Sequence, residues 1–314
     1  MGSWWDVFRS IIYGLVEGIT EWLPISSTGH LILLEEWLPL DQSAEFFSMY
    51  LVVIQLGAIM AVVVTYWHRL WPFAWQTAAT GSDRLGVGRN GALPQPDLSQ
   101  GTAGSLSPDG AVSRRRRIIL DPDIFTMWLK ILVACVPAAI IGLIFDDAID
   151  RLFYNPWVVA GALIIVGVIF ILVEKILAGT ESKIVRMKDL SWSAAFMIGL
   201  FQLVAAVFPG VSRSGATIIG GLILGLSRVL AAEFTFYLAV PVMFGASLLK
   251  LVTYQGGWSL QSLMVLLTGM AVAFLVSLKV IDFLISFIRK HDFTVFGYYR
   301  IALGMVVLLY FAFV

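Results

Sequence analysis

Stretches of about twenty apolar residues, the length a helix needs to cross a bilayer, recur along this chain. Full-length ones fall at 44–67, 124–145, 157–177, 229–252, 259–287 and 294–314. A soluble domain carries roughly 25% charged residues; here 13% of 314 residues are charged and 59% are hydrophobic. The expectation is an all-α integral membrane protein with about six transmembrane helices. The net charge of +0 points to no nucleic-acid partner. The single cysteine, Cys135, lies in an apolar run and reads as packing, with no disulfide framework possible within one chain. The N-terminus lacks the basic segment and small-residue cleavage site of a signal peptide and is expected to stay in the fold.

Two further apolar pairs are interrupted. Residues 4–23 and 26–38 are separated at Pro24, and 192–208 and 215–226 at Pro209-Gly210. The second member of each pair is too short to span, so both read as re-entrant, broken helices. The pairs also resemble each other: Gly14 and Gly199, Glu17 and Gln202, Pro24 and Pro209 share an offset of 185. One inserted residue then aligns Ser26, Thr28 and Gly29 with Ser212, Ser214 and Gly215. The first repeat is expected over 1–177, with pair 4–38, spans 44–67, 124–145 and 157–177, and a disordered cytoplasmic loop at 78–123. The second is expected over 191–314, with pair 192–226 and spans 229–252, 259–287 and 294–314.

Three spans after each pair invert the second repeat relative to the first. Basic residues mark the cytoplasmic side. They collect in 69–123, which includes Arg114 to Arg117, around Lys183, Arg186 and Lys188, and at Arg289-Lys290; loops 39–43 and 146–156 hold only Arg151. The first pair is thus expected to enter from outside, the second from the cytoplasm, with both termini outward. Broken helices that meet near the midplane offer helix N-termini to an anion.

Ionisable side chains inside a membrane are costly and mark function. Glu17 and Glu21 share one helix face. Two carboxylates so placed are explained by a divalent cation with oxygen ligands, by a shared proton, or by solvation near the interface. Ser26, Ser27, Thr28 and His30 follow the break; Ser26 is expected to cap the next helix, and Ser27 and His30, three residues apart, can meet as nucleophile and proton carrier. Arg213, within Pro209 to Thr217, requires an anion: a phosphate gripped in bidentate fashion, or Glu17 or Glu21 in a buried ion pair that only joins the repeats. Gly210 and Gly215 allow close backbone approach, and Ser212, Ser214 and Thr217 add donors. Arg228 and Glu233 are expected to pair locally. Trp4, Trp5, Trp157 and Trp192 read as interfacial anchors.

Taken together, Glu17-Gly18-Ile19-Thr20-Glu21, Pro24-Ile25-Ser26-Ser27-Thr28-Gly29-His30 and Pro209-Gly210-Val211-Ser212-Arg213-Ser214-Gly215-Ala216-Thr217 resemble the motifs of bacterial undecaprenyl-diphosphatases, also called bacitracin resistance proteins. The resemblance covers nearly the whole chain; loop 78–123 looks like an insertion. It implies an inner-membrane enzyme with paired re-entrant hairpins that converts undecaprenyl diphosphate to the monophosphate and recycles the lipid carrier of cell-wall synthesis. It implies a divalent cation, Mg2+ or Ca2+, held by Glu17 and Glu21. Arg213 would clamp the diphosphate with Gly210, Ser212, Ser214 and Thr217, and with Ser26 and Thr28 from the first motif. Ser27 would be the nucleophile and His30 the acid/base, unless metal-activated water attacks directly. Because the outward-entering hairpin carries most of these groups, the site is expected to open to the outer face. The expected partners are the lipid substrate and membrane lipids, and a homodimer is among the assemblies the sequence leaves open. The rival function is a transporter or flippase of a prenyl phosphate lipid, suggested by the inverted repeat alone; an ion channel lacks rings of charge on several spans.

Overall fold

The computed structural model describes residues 4–79 and 114–313. The helices among them are α1 (Trp4–Thr20), α2 (Ser27–Trp37), α3 (Ala44–Thr65), α4 (Trp67–Leu70), α5 (Pro122–Phe153), α6 (Pro156–Leu177), α7 (Trp192–Val207), α8 (Arg213–Ile223), α9 (Arg228–Thr253), α10 (Leu260–Ile288) and α11 (Thr294–Phe313). Six of these, α3, α5, α6, α9, α10 and α11, are long and apolar enough to cross a membrane. Four of them start at side-chain caps: Ser43, Asn155, Ser227 and Ser259 each accept a hydrogen bond from a backbone amide three residues on. Ser191 does the same for α7. The region 146–156, expected as a loop, continues α5 as helix as far as Phe153.

Much of the outward surface is apolar. Leu143, Ile165, Ile176 and Leu260 are each more than 60% exposed, an arrangement that water would penalise and lipid tolerates. Trp4, Trp5, Trp157 and Trp192 are exposed near helix starts, where interfacial anchors belong.

Lipid tails are as apolar as leucine, so helices associate in a membrane by close packing at small residues. A Cβ added to Gly57 of α3 would lie 2.0 Å from the Met270 carbonyl oxygen of α10. Gly14 and Gly18 bring α1 against the backbone of α10 at Gly269 and Ala273, and Gly199 brings α7 within reach of the Ala134 carbonyl in α5. Gly167 and Gly297 place α6 and α11 backbone to backbone.

Long-range ion pairs reinforce these contacts. The local pairing expected for Arg228 and Glu233 does not form. Arg228 donates to the buried Glu174 of α6, at 2.9 and 2.5 Å, and Glu174 also accepts from the Phe293 amide at 3.0 Å. Glu233 instead receives Arg69 at 2.7 Å. Five residues apart, Arg228 and Glu233 point away from each other on α9, so each finds a partner on another element.

The described residues between Trp71 and Pro122 form a separate small unit. Of the loop expected to be disordered over 78–123, residues 78–79 and 114–120 lie in an antiparallel ribbon in which β1 (Phe73–Ala79) pairs with β2 (Arg114–Leu120), Phe73 opposite Leu120 and Ala79 opposite Arg114. The polar composition of the whole stretch hid its apolar end at Ile118-Ile119-Leu120, and Pro122 then opens α5. The rest of that loop lies outside the described residues.

Both interrupted pairs are broken where expected. The chain leaves α1 at Thr20 and enters α2 at Ser27; it leaves α7 at Val207 and enters α8 at Arg213. Helices α2 and α8 have 11 residues each, about 16 Å at 1.5 Å per residue and well short of a bilayer core. At each entry one serine takes a left-handed backbone, Ser26 at φ 71° and Ser212 at φ 70°; they are the non-glycine residues with positive φ among those described. Each costs on the order of 1–3 kcal/mol, strain that persists only where surrounding structure enforces it and that clusters at functional sites.

Replacing Gly57 with alanine should lower the thermal midpoint in detergent, by an amount equivalent to about 2 kcal/mol or more, because the methyl must displace backbone. Gly161→Ala, where an added Cβ meets nothing within 4 Å, should leave the midpoint unchanged or raise it slightly. Equal losses in both variants would refute close packing at Gly57.

Candidate active site

The breaks bring the two motifs together. Arg213, on the first turn of α8, donates from Nη2 to Glu21 Oε1 at 2.9 Å and from Nη1 to the Thr235 carbonyl of α9 at 3.1 Å. Glu21 in turn accepts from the Ser27 hydroxyl at 3.2 Å through its other oxygen, Oε2. One carboxylate, 6% exposed, therefore touches both the arginine of one pair and the hydroxyl at the head of the other. The buried ion pair foreseen between Arg213 and one of the two glutamates forms with Glu21.

Arg213 is not consumed by these bonds. A guanidinium has five N–H donors in a planar fork; two are engaged here, and the Nε hydrogen has no acceptor among the described residues. Glu17 is wholly buried beside the Glu21 carboxyl, and its oxygens accept no hydrogen bond from a donor among the described residues. Two carboxyl groups side by side in a low dielectric need a proton or a cation between them. Trp22 Nε1, Ser26 Oγ and both polar atoms of Gln202 are likewise buried without a partner among the described residues. Buried polar atoms are ordinarily satisfied, so this concentration of open donors and acceptors around the two breaks suits a polar ligand.

The remaining motif residues divide by placement. Ser212 caps α8, its hydroxyl accepting from the Gly215 amide at 3.1 Å and lying 3.1 Å from that of Ser214. Ser26 makes no such cap despite the expectation: its side chain forms no hydrogen bond to the start of α2. Thr28 is half-buried on the first turn of α2. Thr217 is buried, donates to the Arg213 carbonyl at 2.9 Å and meets Thr235 Oγ1 at 2.8 Å, so it braces α8 against α9. Gly210, at φ 92°, has no room for a side chain against Val159 of α6. His30 does not meet Ser27: its Nδ1 lies 2.8 Å from the Ser26 carbonyl and its Nε2 2.7 Å from the Tyr299 hydroxyl.

Arg300 was not among the sequence-derived candidates. It is fully buried in α11, donating to the carbonyls of Pro24 at 3.2 Å, Gly210 at 2.8 Å and Val211 at 2.9 Å. It thus ties the first break to the second through their backbones. The available signal was an arginine inside the apolar span 294–314, which is functional by default in a membrane segment.

A family model, bacitracin resistance protein BacA, matches residues 10–306. An undecaprenyl-diphosphatase of Desulfitobacterium hafniense is 48% identical over 307 residues, covering 98% of this chain and 96% of its own. One from Acetivibrio thermocellus is 47% identical, covering 98% of each chain, and one from Enterococcus faecalis is 45% identical over 97% of this chain and 96% of its own. With both motifs assembled at one place and these likenesses running nearly end to end, this multi-pass membrane protein belongs to the BacA bacitracin resistance family.

Proposed function

We propose that the chain is an undecaprenyl-diphosphatase that hydrolyses undecaprenyl diphosphate to the monophosphate and phosphate. The observation that carries this reading is the Arg213–Glu21–Ser27 contact, an anion-binding guanidinium, a carboxylate base and a hydroxyl in one buried chain. The relatives' name supplies the substrate.

In this reading the unengaged N–H groups of Arg213 hold the terminal phosphate, with Ser212 and Ser214 beside it. Ser27 Oγ attacks the terminal phosphorus while its proton passes to Glu21. The bond from phosphorus to the bridging oxygen breaks, and undecaprenyl phosphate leaves. Water then releases the phosphate from Ser27, with His30 one turn along α2 assisting proton transfer. Thr217 braces α8 against α9 and Gly210 packs its backbone against α6, which holds the substrate-binding stretch in place.

The carboxyl groups of Glu17 and Glu21 fit a divalent cation, since the Glu17 oxygens are open and hard cations take oxygen ligands. No cluster of three or more His, Cys, Asp or Glu forms among the described residues, so substrate oxygens and water would complete such a site. Bound there, the ion would neutralise charge on the transferred phosphoryl group.

The breaks are the tips of two re-entrant hairpins in an inverted repeat. The paired left-handed serines support this, as does the exchanged packing of α1 on α10 and α7 on α5. The distribution of basic residues supports an entrance for the first hairpin, and with it a mouth for the site, on the outer face of the plasma membrane.

Phosphate release from a long-chain prenyl diphosphate, measured on detergent-purified protein, tests the reading. Arg213→Ala and Glu21→Gln should each reduce kcat/KM by about a hundredfold or more, and Ser27→Ala should abolish turnover while retaining substrate binding. Absence of release from folded wild type across metals and pH would favour lipid transport. Ser27→Ala retaining near-wild-type kcat would eliminate the serine as nucleophile.

Glu17→Gln should raise the Mg2+ or Ca2+ concentration for half-maximal activity and weaken direct metal binding measured by calorimetry. Unchanged metal affinity would remove Glu17 from the metal site.

A further inference from the structure

The ribbon between α4 and α5 sorts its residues along its length. At its root the facing pairs are Phe73 with Leu120, Ala74 with Ile119 and Trp75 with Ile118. Beyond them four consecutive arginines of β2, Arg117 back to Arg114, stand opposite Gln76, Thr77, Ala78 and Ala79 of β1. Opposite charges on facing strands would stabilise such a pairing, yet no residue of β1 is acidic, and Asp121 lies past the apolar end. A ribbon of two strands is marginal by itself in water, and like charges crowded on one strand work against it. Its arginine end calls for counter-charge from outside the ribbon.

The chain on either side ties the root to the bilayer edge. The Leu70 carbonyl accepts from Trp128 Nε1 of the membrane span α5 at 2.7 Å. Trp67 and Trp71 are exposed, as suits residues at an interface, and Trp71 meets Phe73 edge-on at 5.5 Å. The Asp121 amide donates to the Pro72 carbonyl at 2.7 Å and closes the root immediately before α5 begins. A strand rises about 3.3 Å per residue, so the arginine positions run from about 10 to about 20 Å beyond Leu120. The headgroup layer on each side of a bilayer is roughly 5–8 Å deep, and an anionic surface acts about 8 Å further at physiological ionic strength. The arginines are therefore tethered within reach of lipid phosphates, which a guanidinium grips in bidentate fashion.

We propose that the ribbon is a docking element for anionic lipid headgroups, its apolar root at the edge of the acyl region and Arg114 to Arg117 on the headgroup phosphates. A juxtamembrane basic cluster of this kind is drawn to anionic lipid and indifferent to zwitterionic lipid. The inference stands apart from the hydrolytic reading: it uses no residue of either motif and needs no assignment of sides.

The test uses the full chain with Cys135→Ala, so that a cysteine at Ala79→Cys, opposite Arg114, alone carries an environment-sensitive fluorophore. The protein is reconstituted into vesicles of phosphatidylcholine alone, or of equal parts phosphatidylcholine and phosphatidylglycerol, with both leaflets alike. Emission should be about twofold or more higher in the anionic vesicles and should fall back at high salt. Replacing Arg114 to Arg117 together by glutamine should abolish the difference, whereas replacing them by lysine, which keeps the charge, should retain most of it. Inorganic phosphate added to the phosphatidylcholine vesicles should change nothing. Equal emission in the two vesicles, or an anionic response that survives in the glutamine variant, would overturn the proposal. A response to inorganic phosphate without anionic lipid would overturn it too, in favour of a soluble anion.

Discussion

A helix that breaks among other helices leaves backbone carbonyls with no partner in its own turn, and in a bilayer no bulk water is available to them. Arg300 meets that requirement for three carbonyls at once, from Pro24, Gly210 and Val211. The two tips hold their relative positions because one rigid guanidinium fork spans them. Close packing behind the tips, at Gly57 on Met270 and Gly199 on Ala134, fixes the helices from which they project. Left-handed Ser26 and Ser212 are sustained by that frame.

The frame also sets the electrostatics. Among the described residues Arg300 bonds to carbonyls and to no carboxylate, so dipoles balance its charge there. Arg213 is paired with Glu21 but retains unused donors, and Glu17 faces no donor among the described residues. Charges left incompletely paired in a low dielectric are expensive to hold. In the proposed reading they become favourable when an anionic headgroup and a cation complete the set. Preorganised donors of this kind stabilise developing charge without rearranging during reaction.

Local pattern made much of this legible. The six spans follow from runs of apolar residues, and the breaks from Pro24 and Pro209-Gly210 next to segments too short to cross. Glu17, Glu21 and Arg213 stood out because charge within apolar sequence has few innocent explanations. Partners were another matter. His30 is one turn from Ser27, yet its nitrogens go to Ser26 and Tyr299, and Ser27 goes to Glu21. Arg228 bypasses nearby Glu233 for Glu174, 54 residues away. The polar stretch after α4 begins and ends in paired strands, which averaged composition concealed.

The sequence by itself determined where helices begin, span and break, because hydropathy, caps and proline act over a few residues. It also determined which side chains carry charge into the apolar interior. Only the tertiary structure decided who meets whom: Arg213 with Glu21, Ser27 with Glu21, Arg300 with both tips, and Tyr299 with His30. Those contacts join residues up to 276 positions apart. Spacing along a helix specifies a shared face, but the neighbour on that face is set by how distant helices pack.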